Sequence, residues 1–93
     1  MTDILDELFD VIQDRKIHRP AGSYTVKLLD GGDEILKKVG EEAAEVIIAA
    51  KNEDNDEVIL ETSDLLYHLL VLMNYHEINL EEIYAELANR FGK

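Results

Sequence analysis

The chain has no cysteine and no tryptophan, a single proline, and only nine lysines and arginines against 21 aspartates and glutamates. Without cysteine there can be no disulfide and no thiolate-ligated zinc, and the redox compartment is left open. The shortage of bases gives a net charge of −12, which argues against a general affinity for nucleic-acid backbones. No segment approaches the roughly 18 to 20 apolar residues of a membrane span. The first ten residues, MTDILDELFD, are acidic and amphipathic and lack the basic start and unbroken apolar stretch of a signal peptide. A soluble cytoplasmic protein is the expectation, with no membrane and no nucleic-acid polymer as partner. At 93 residues one domain, spanning 1–93, is expected, with a surface-to-volume ratio high enough that help from a second subunit would be unsurprising.

What the chain does have is helical periodicity. In residues 2–16, Ile4, Leu5, Leu8, Phe9 and Ile12 fall on one face. Pro20 lies in the segment HRPAGSYT, where Ser23 suits an N-cap for a short helix over 24–30 that Gly31 and Gly32 would stop. A third helix is predicted from about residue 33 to 53 and a fourth from 56 to 75, separated by the turn NEDND. A last helix runs over 80–91, with Asn79 as cap and Gly92 as stop. No strand pattern competes. The expected fold is all-α: an antiparallel helical hairpin with shorter flanking helices. Gly40 weakens the third helix by about 1 kcal/mol relative to alanine, and a close approach by a backbone or ligand is its expected reason. Between Ile59 and Met73, ten of fifteen residues are apolar or tyrosine, spread all round the helix. A helix apolar on every side is buried on every side. One short chain does not easily surround it, so a homodimer or higher symmetric oligomer forming a shared bundle is predicted.

The charges are unevenly placed. Residues 15–38 hold six of the nine bases, Arg15, Lys16, Arg19, Lys27, Lys37 and Lys38, in an otherwise acidic chain. This band is either a mixed solvated surface or a place for an anionic ligand. The acids stand where acids are least expected. Glu41, Glu42 and Glu45 lead into the apolar run of KKVGEEAAEVIIAA, and Glu61 and Asp64 interrupt the greasiest helix. At about 100° per residue, Glu42 and Glu45 point the same way, and Glu57, Glu61, Asp64 and His68 form one stripe. In a hairpin the two stripes can face each other. Such carboxylates repel, and burial raises their pKa values further; a divalent cation removes the conflict. Oxygen donors without cysteine suit Mg²⁺, with Mn²⁺ as substitute. The bland alternative is a set of solubilising surface glutamates, and His68 reads as a packed, hydrogen-bonded histidine. A di-iron bundle would require Glu-x-x-His pairs, which are lacking. With a cation present, Arg15, Lys16, Arg19, Lys27 and Lys38, joined by the Ser23 and Thr25 hydroxyls, are candidates to hold phosphates beside it.

The segments RKIHRPAGSYTVKLLDGG, ILKKVGEEAAEVIIAAKN and ETSDLLYHLLVLM together resemble the phosphoribosyl-ATP pyrophosphohydrolases, a family of the all-α nucleoside-triphosphate pyrophosphatase superfamily. The resemblance covers almost the whole chain. The superfamily's ExxE and ExxD pattern reads here as Glu42-x-x-Glu45 and Glu61-x-x-Asp64. It implies Mg²⁺-dependent hydrolysis of N1-(5-phosphoribosyl)-ATP to phosphoribosyl-AMP and pyrophosphate in histidine biosynthesis, by a cytoplasmic dimer. It also implies Glu42, Glu45, Glu61 and Asp64 as metal ligands, Glu41 and Glu42 as catalytic carboxylates, and Lys38 as a phosphate contact. The chain's length and its lack of cysteine suggest a stand-alone enzyme, not one fused to the cyclohydrolase of the next step. The competing expectations are a house-cleaning nucleotide pyrophosphatase of the same superfamily and a non-enzymatic acidic helical interaction module.

Overall fold

The computed structural model describes residues 3–92. It has five helices: α1 (Ile4–His18), α2 (Tyr24–Asp30), α3 (Gly32–Lys51), α4 (Asn55–Tyr75) and α5 (Leu80–Phe91), with no strand among the described residues. The predicted elements are all present. The first begins and ends two residues later than periodicity placed it, because Asp3 is its N-cap and accepts the Leu5 N–H at 2.9 Å; Thr2 lies outside the described residues. Ser23 caps α2 by accepting the Val26 N–H, and Asp54 caps α4 by accepting the Glu57 N–H. Asn79 and Glu82 form a reciprocal capping box at the start of α5. Each such cap stabilises its helix end by about 1 kcal/mol. At its C-terminal end, α1 stops on Arg19 in the left-handed region, φ 50°, directly before Pro20, which cannot continue a helix.

The α3–α4 hairpin is the largest interface of the molecule, and α1 packs chiefly on α4. The core gathers at one end of the hairpin. Ile35 from the start of α3 and Leu70 and Val71 from the second half of α4 meet Phe9, Ile12, Leu28, Leu29 and Leu80. Lys16 ties α1 to this end by donating from Nζ to the Asn74 carbonyl at 2.8 Å, which satisfies one of the open carbonyls in the last turn of α4. The other half of the hairpin, toward the turn at 52–54, projects beyond the core. There Ile47, Ile48, Ile59 and Leu60 are each more than half exposed. The expectation that α4 is enclosed all round is therefore not met by the chain's own residues. Its core side is buried, and its outer side is an uncovered apolar surface.

The two glycines of α3 have opposite surroundings. A Cβ on Gly40 would meet nothing within 4 Å, whereas one on Gly32 would lie 2.8 Å from the Tyr75 hydroxyl. The chain's own close approach is at Gly32, where the start of α3 passes the end of α4, and not at Gly40. Gly40→Ala should accordingly raise stability by about 0.5–1 kcal/mol through helix propensity. Gly32→Ala should lower it by about 1 kcal/mol through overpacking. Urea melts of the two variants should move in opposite directions.

Candidate metal centre

Three of the four signature acids converge midway along the hairpin. Glu42 and Glu45 on α3 and Glu61 on α4 each offer an oxygen, all within 4.8 Å of one another. Glu42 is only 9% exposed. Helical spacing explains the convergence: residues three apart on α3 share a face, and that face meets α4 because Val39, Ile35 and Ala49 are packed inward. None of the ion pairs among the described residues involves these three acids. Glu42 Oε2 and Glu61 Oε2 are buried and accept no hydrogen bond.

The electrostatic consequence is an upward shift at Glu61 and Glu42. Glu61 is pushed up to about 7, chiefly by sharing a hydrogen bond with Glu45, then by burial and by the charges of Glu45 and Glu42. Glu42 is raised first by burial and then by the Glu45 charge, with a smaller contribution from Asp64. Orphaned buried oxygens of one sign, without a base or cysteine, fit a hard divalent cation of the Mg²⁺ or Mn²⁺ type. Asp64 stands one turn beyond Glu61 and is exposed, outside the tight cluster, yet near enough for its charge to be felt at Glu42. A cavity of about 210 Å³ opens beside Glu45 and Glu61 toward the hairpin turn, with Glu57 and Asn52 on its wall.

The basic and hydroxyl candidates scatter. Lys38 is at the rim: its Nζ is 3.7 Å from Glu41, and the charges of Glu41 and Glu42 both favour its ammonium form, behind the influence of Tyr24. Glu41 itself is exposed. Arg19 pairs with Asp30 and Arg15 with Asp14. Lys16 is engaged by Asn74, ten residues past Asp64, or about 15 Å along α4. Ser23 Oγ serves as helix cap, and Thr25 Oγ1 shares a hydrogen bond of 2.5 Å with the Tyr67 hydroxyl. Lys27 is exposed and makes no ion pair among the described residues.

His68 packs as expected: Tyr67 lies edge-on to it and is stacked against Tyr24. They are also joined by polar contacts that periodicity does not reveal. His68 Nδ1 is 2.7 Å from the Asp64 carbonyl, and its Nε2 is 3.1 Å from the Tyr24 hydroxyl. Both ring nitrogens are thus occupied, so His68 is not among the residues that can hold a cation here.

Comparison with known proteins finds relatives over nearly the whole chain. The sequence pattern of the phosphoribosyl-ATP pyrophosphohydrolase family matches residues 5–91. A histidine biosynthesis bifunctional protein of Thermoanaerobacter pseudethanolicus is 63% identical over 84 residues, covering 89% of this chain but 39% of that protein. The phosphoribosyl-ATP pyrophosphatase of Geobacter metallireducens is 53% identical over 91 residues, 97% of this chain and 84% of that protein. That of Pelotomaculum thermopropionicum is 53% identical over 92 residues, 98% of this chain and 94% of the relative.

Proposed function

The chain belongs to the phosphoribosyl-ATP pyrophosphohydrolase family, hydrolases of histidine biosynthesis, and from that premise we propose that it splits phosphoribosyl-ATP around a divalent cation held by Glu42, Glu45, Glu61 and Asp64. The bond broken is the α–β phosphoanhydride, and the products are phosphoribosyl-AMP and pyrophosphate. The observation that carries the cation is the convergence of three carboxylates on two helices, with two buried oxygens left unpaired. Glu42, Glu45, Glu61 and Asp64 would hold the cation, which would supply Lewis-acid stabilisation of the charge that develops on the phosphates. Glu41 and Glu42 are the carboxylates proposed to take the proton of the attacking water. Lys38, beside Glu41, supplies positive charge for the phosphates. Hydrolysis of phosphoribosyl-ATP followed by ³¹P NMR, with and without Mg²⁺, tests this reading. Release of pyrophosphate only with the cation supports it. Rapid hydrolysis of deoxynucleoside triphosphates with no turnover of phosphoribosyl-ATP would transfer the site to the house-cleaning reaction.

We propose further that the working unit is at least a dimer. The chain exposes 6581 Å², while a compact monomer of 10.6 kDa should expose about 5,500 Å². Its radius of gyration is 14.4 Å against about 12 Å for a compact chain of this length. The excess surface is of the size that each partner buries in a standard interface, about 800 Å². The exposed aliphatics of the projecting hairpin half, with the apolar groove between α4 and α5 lined by Leu66, Met73 and Ile83, are where a second copy would sit. Ile59→Glu should weaken association by at least about thirtyfold in sedimentation equilibrium, since Ile59 is exposed in the protomer and its replacement leaves the core untouched. A wild-type chain that stays folded and monomeric at micromolar concentration refutes the dimer. No helix among the described residues is long and apolar enough to cross a membrane, and a cytoplasmic location is part of the proposal.

A further inference from the structure

The acid cluster has different neighbours on its two sides. Lys38 stands one turn before Glu42 on α3. The cavity of about 210 Å³ lies in the other direction, toward the hairpin turn. Glu45 and Glu61 join it to the cluster, and Glu61 Oε2 is buried without a partner. Ile48 and the buried Ala49 give it an apolar wall, and the Asn52 amide and the Glu57 carboxylate are polar groups at its far end. No lysine or arginine among the described residues lines it. Glu57 has its carboxylate free: only its backbone N–H is used by the Asp54 cap, and it makes no ion pair among the described residues.

An acid-lined cavity repels phosphates. With the α–β anhydride at the cluster, the leaving pyrophosphate therefore points toward Lys38 and the nucleoside toward the turn. The cavity is smaller than the roughly 300–1,000 Å³ of a site for a whole drug-sized ligand, and it suits a single flat ring system. Phosphoribosyl-ATP and ATP carry the same triphosphate, so a metal site cannot tell them apart; the difference lies at adenine N1. A ribose on N1 removes the acceptor there and makes N1 and N6 an amidine, a far stronger base than adenine. Its protonated form is a cation with two hydrogens on N6. A carboxylate beside that edge favours the cation, and it opposes the N1 lone pair that ATP keeps. An asparagine amide matches the remaining N6 and N7 edge of the ring.

We propose that this cavity receives the N1-substituted adenine, with Glu57 selecting it over the unsubstituted ring of ATP and Asn52 holding its N6 and N7 edge. The inference rests on the reading of the acid cluster as the place where phosphoribosyl-ATP is split. It gives Glu57, an acid outside the signature pattern, a role in specificity and none in holding the cation.

Competitive inhibition of the Mg²⁺-supplied enzyme by AMP and by N1-methyl-AMP separates the base from the phosphates, because the two nucleotides differ only at N1. N1-methyl-AMP should inhibit phosphoribosyl-ATP hydrolysis at least about tenfold more strongly than AMP, the worth of a hydrogen bond to a charged group. Glu57→Gln should cancel most of that preference by weakening N1-methyl-AMP, and should raise KM for phosphoribosyl-ATP about tenfold. Its gain in melting temperature on adding Mg²⁺ should match that of the wild type. Asn52→Ala should weaken both nucleotides alike. Equal inhibition by the two nucleotides in the wild type, or a preference that survives Glu57→Gln, overturns the base site and leaves the metal reading standing. Loss of the Mg²⁺ gain in Glu57→Gln also overturns it, since Glu57 would then belong to the cation site. A wild-type chain that does not turn over phosphoribosyl-ATP overturns both readings.

Discussion

Glu42→Gln is expected to abolish turnover and, in the same protein, to raise the melting temperature measured in EDTA. The two effects have one origin. Glu42 is the most buried acid of the cluster, its Oε2 accepts no hydrogen bond, and its carboxyl is raised by burial and by the Glu45 charge. Without a cation, that carboxylate is a cost to the fold, because burial penalises the charged form and the neighbouring acids repel it. Glutamine has the same shape and no charge to desolvate, so the metal-free chain gains stability. The same substitution removes a charged oxygen from the proposed cation site, and loss of one strong electrostatic contact at a reacting centre costs about a hundredfold or more in rate. Asp64→Asn separates the two consequences. Asp64 is exposed, so its neutralisation should remove turnover with little change in the EDTA melting temperature. Product release followed by ³¹P NMR, alongside thermal melts, reads both. Turnover near wild type in either variant would remove that residue from the site. A Glu42→Gln protein that melts lower in EDTA would show that the carboxylate is satisfied in the fold, contrary to its orphaned oxygen.

What could be read in the sequence and what could not divide along a physical line. Helix positions follow from local chemistry: Ser23 and Asn79 cap the elements that follow them, and apolar spacing places the interiors. The convergence of Glu42, Glu45 and Glu61 was legible because it depends on only two local facts, the i, i+3 spacing on α3 and a turn too short to allow anything but an antiparallel hairpin; Asp64, three residues past Glu61, lies outside it. The basic band was not legible. Whether Lys16 faces a phosphate or the Asn74 carbonyl, and whether Arg19 is paired with Asp30, depends on how α1 docks against the end of the hairpin and against α2. Charge in a linear segment says nothing about that. Glycines behave likewise: a glycine in a helix announces some special need, but only the packing shows that Gly32 is the one pressed against another side chain, Tyr75. His68 was rightly read as a hydrogen-bonded core residue. Its partner Tyr24 lies 44 positions away, beyond any periodic signal.

The cluster also makes a signed prediction about pH. Glu61 is raised from 4.5 to about 7, so between those values the folded chain binds a proton that the unfolded chain has released. Stability then falls as pH rises: the contribution is fully present below the unfolded value and is lost as pH passes through about 7. The EDTA-treated protein should accordingly melt lower at pH 8 than at pH 5.5. A cation competes with that proton for the same oxygens, so the gain in melting temperature on adding Mg²⁺ should be small at pH 5.5 and largest at pH 8. At a hundred times its dissociation constant, the ion would add about 2.7 kcal/mol to the stability of the folded form. Because the general repulsion within a chain of net charge −12 also grows with pH, a control specific to the site is needed. Glu45→Gln supplies it: the hydrogen bond and charge of Glu45 are leading causes of the Glu61 shift, and removing the charge should flatten the EDTA profile between pH 5.5 and 8 and abolish the Mg²⁺ gain. A wild-type EDTA profile as flat as that of Glu45→Gln, or an Mg²⁺ gain equal at both pH values, would mean that Glu61 does not feel its neighbours across the hairpin. The three carboxylates would then form no site for a cation.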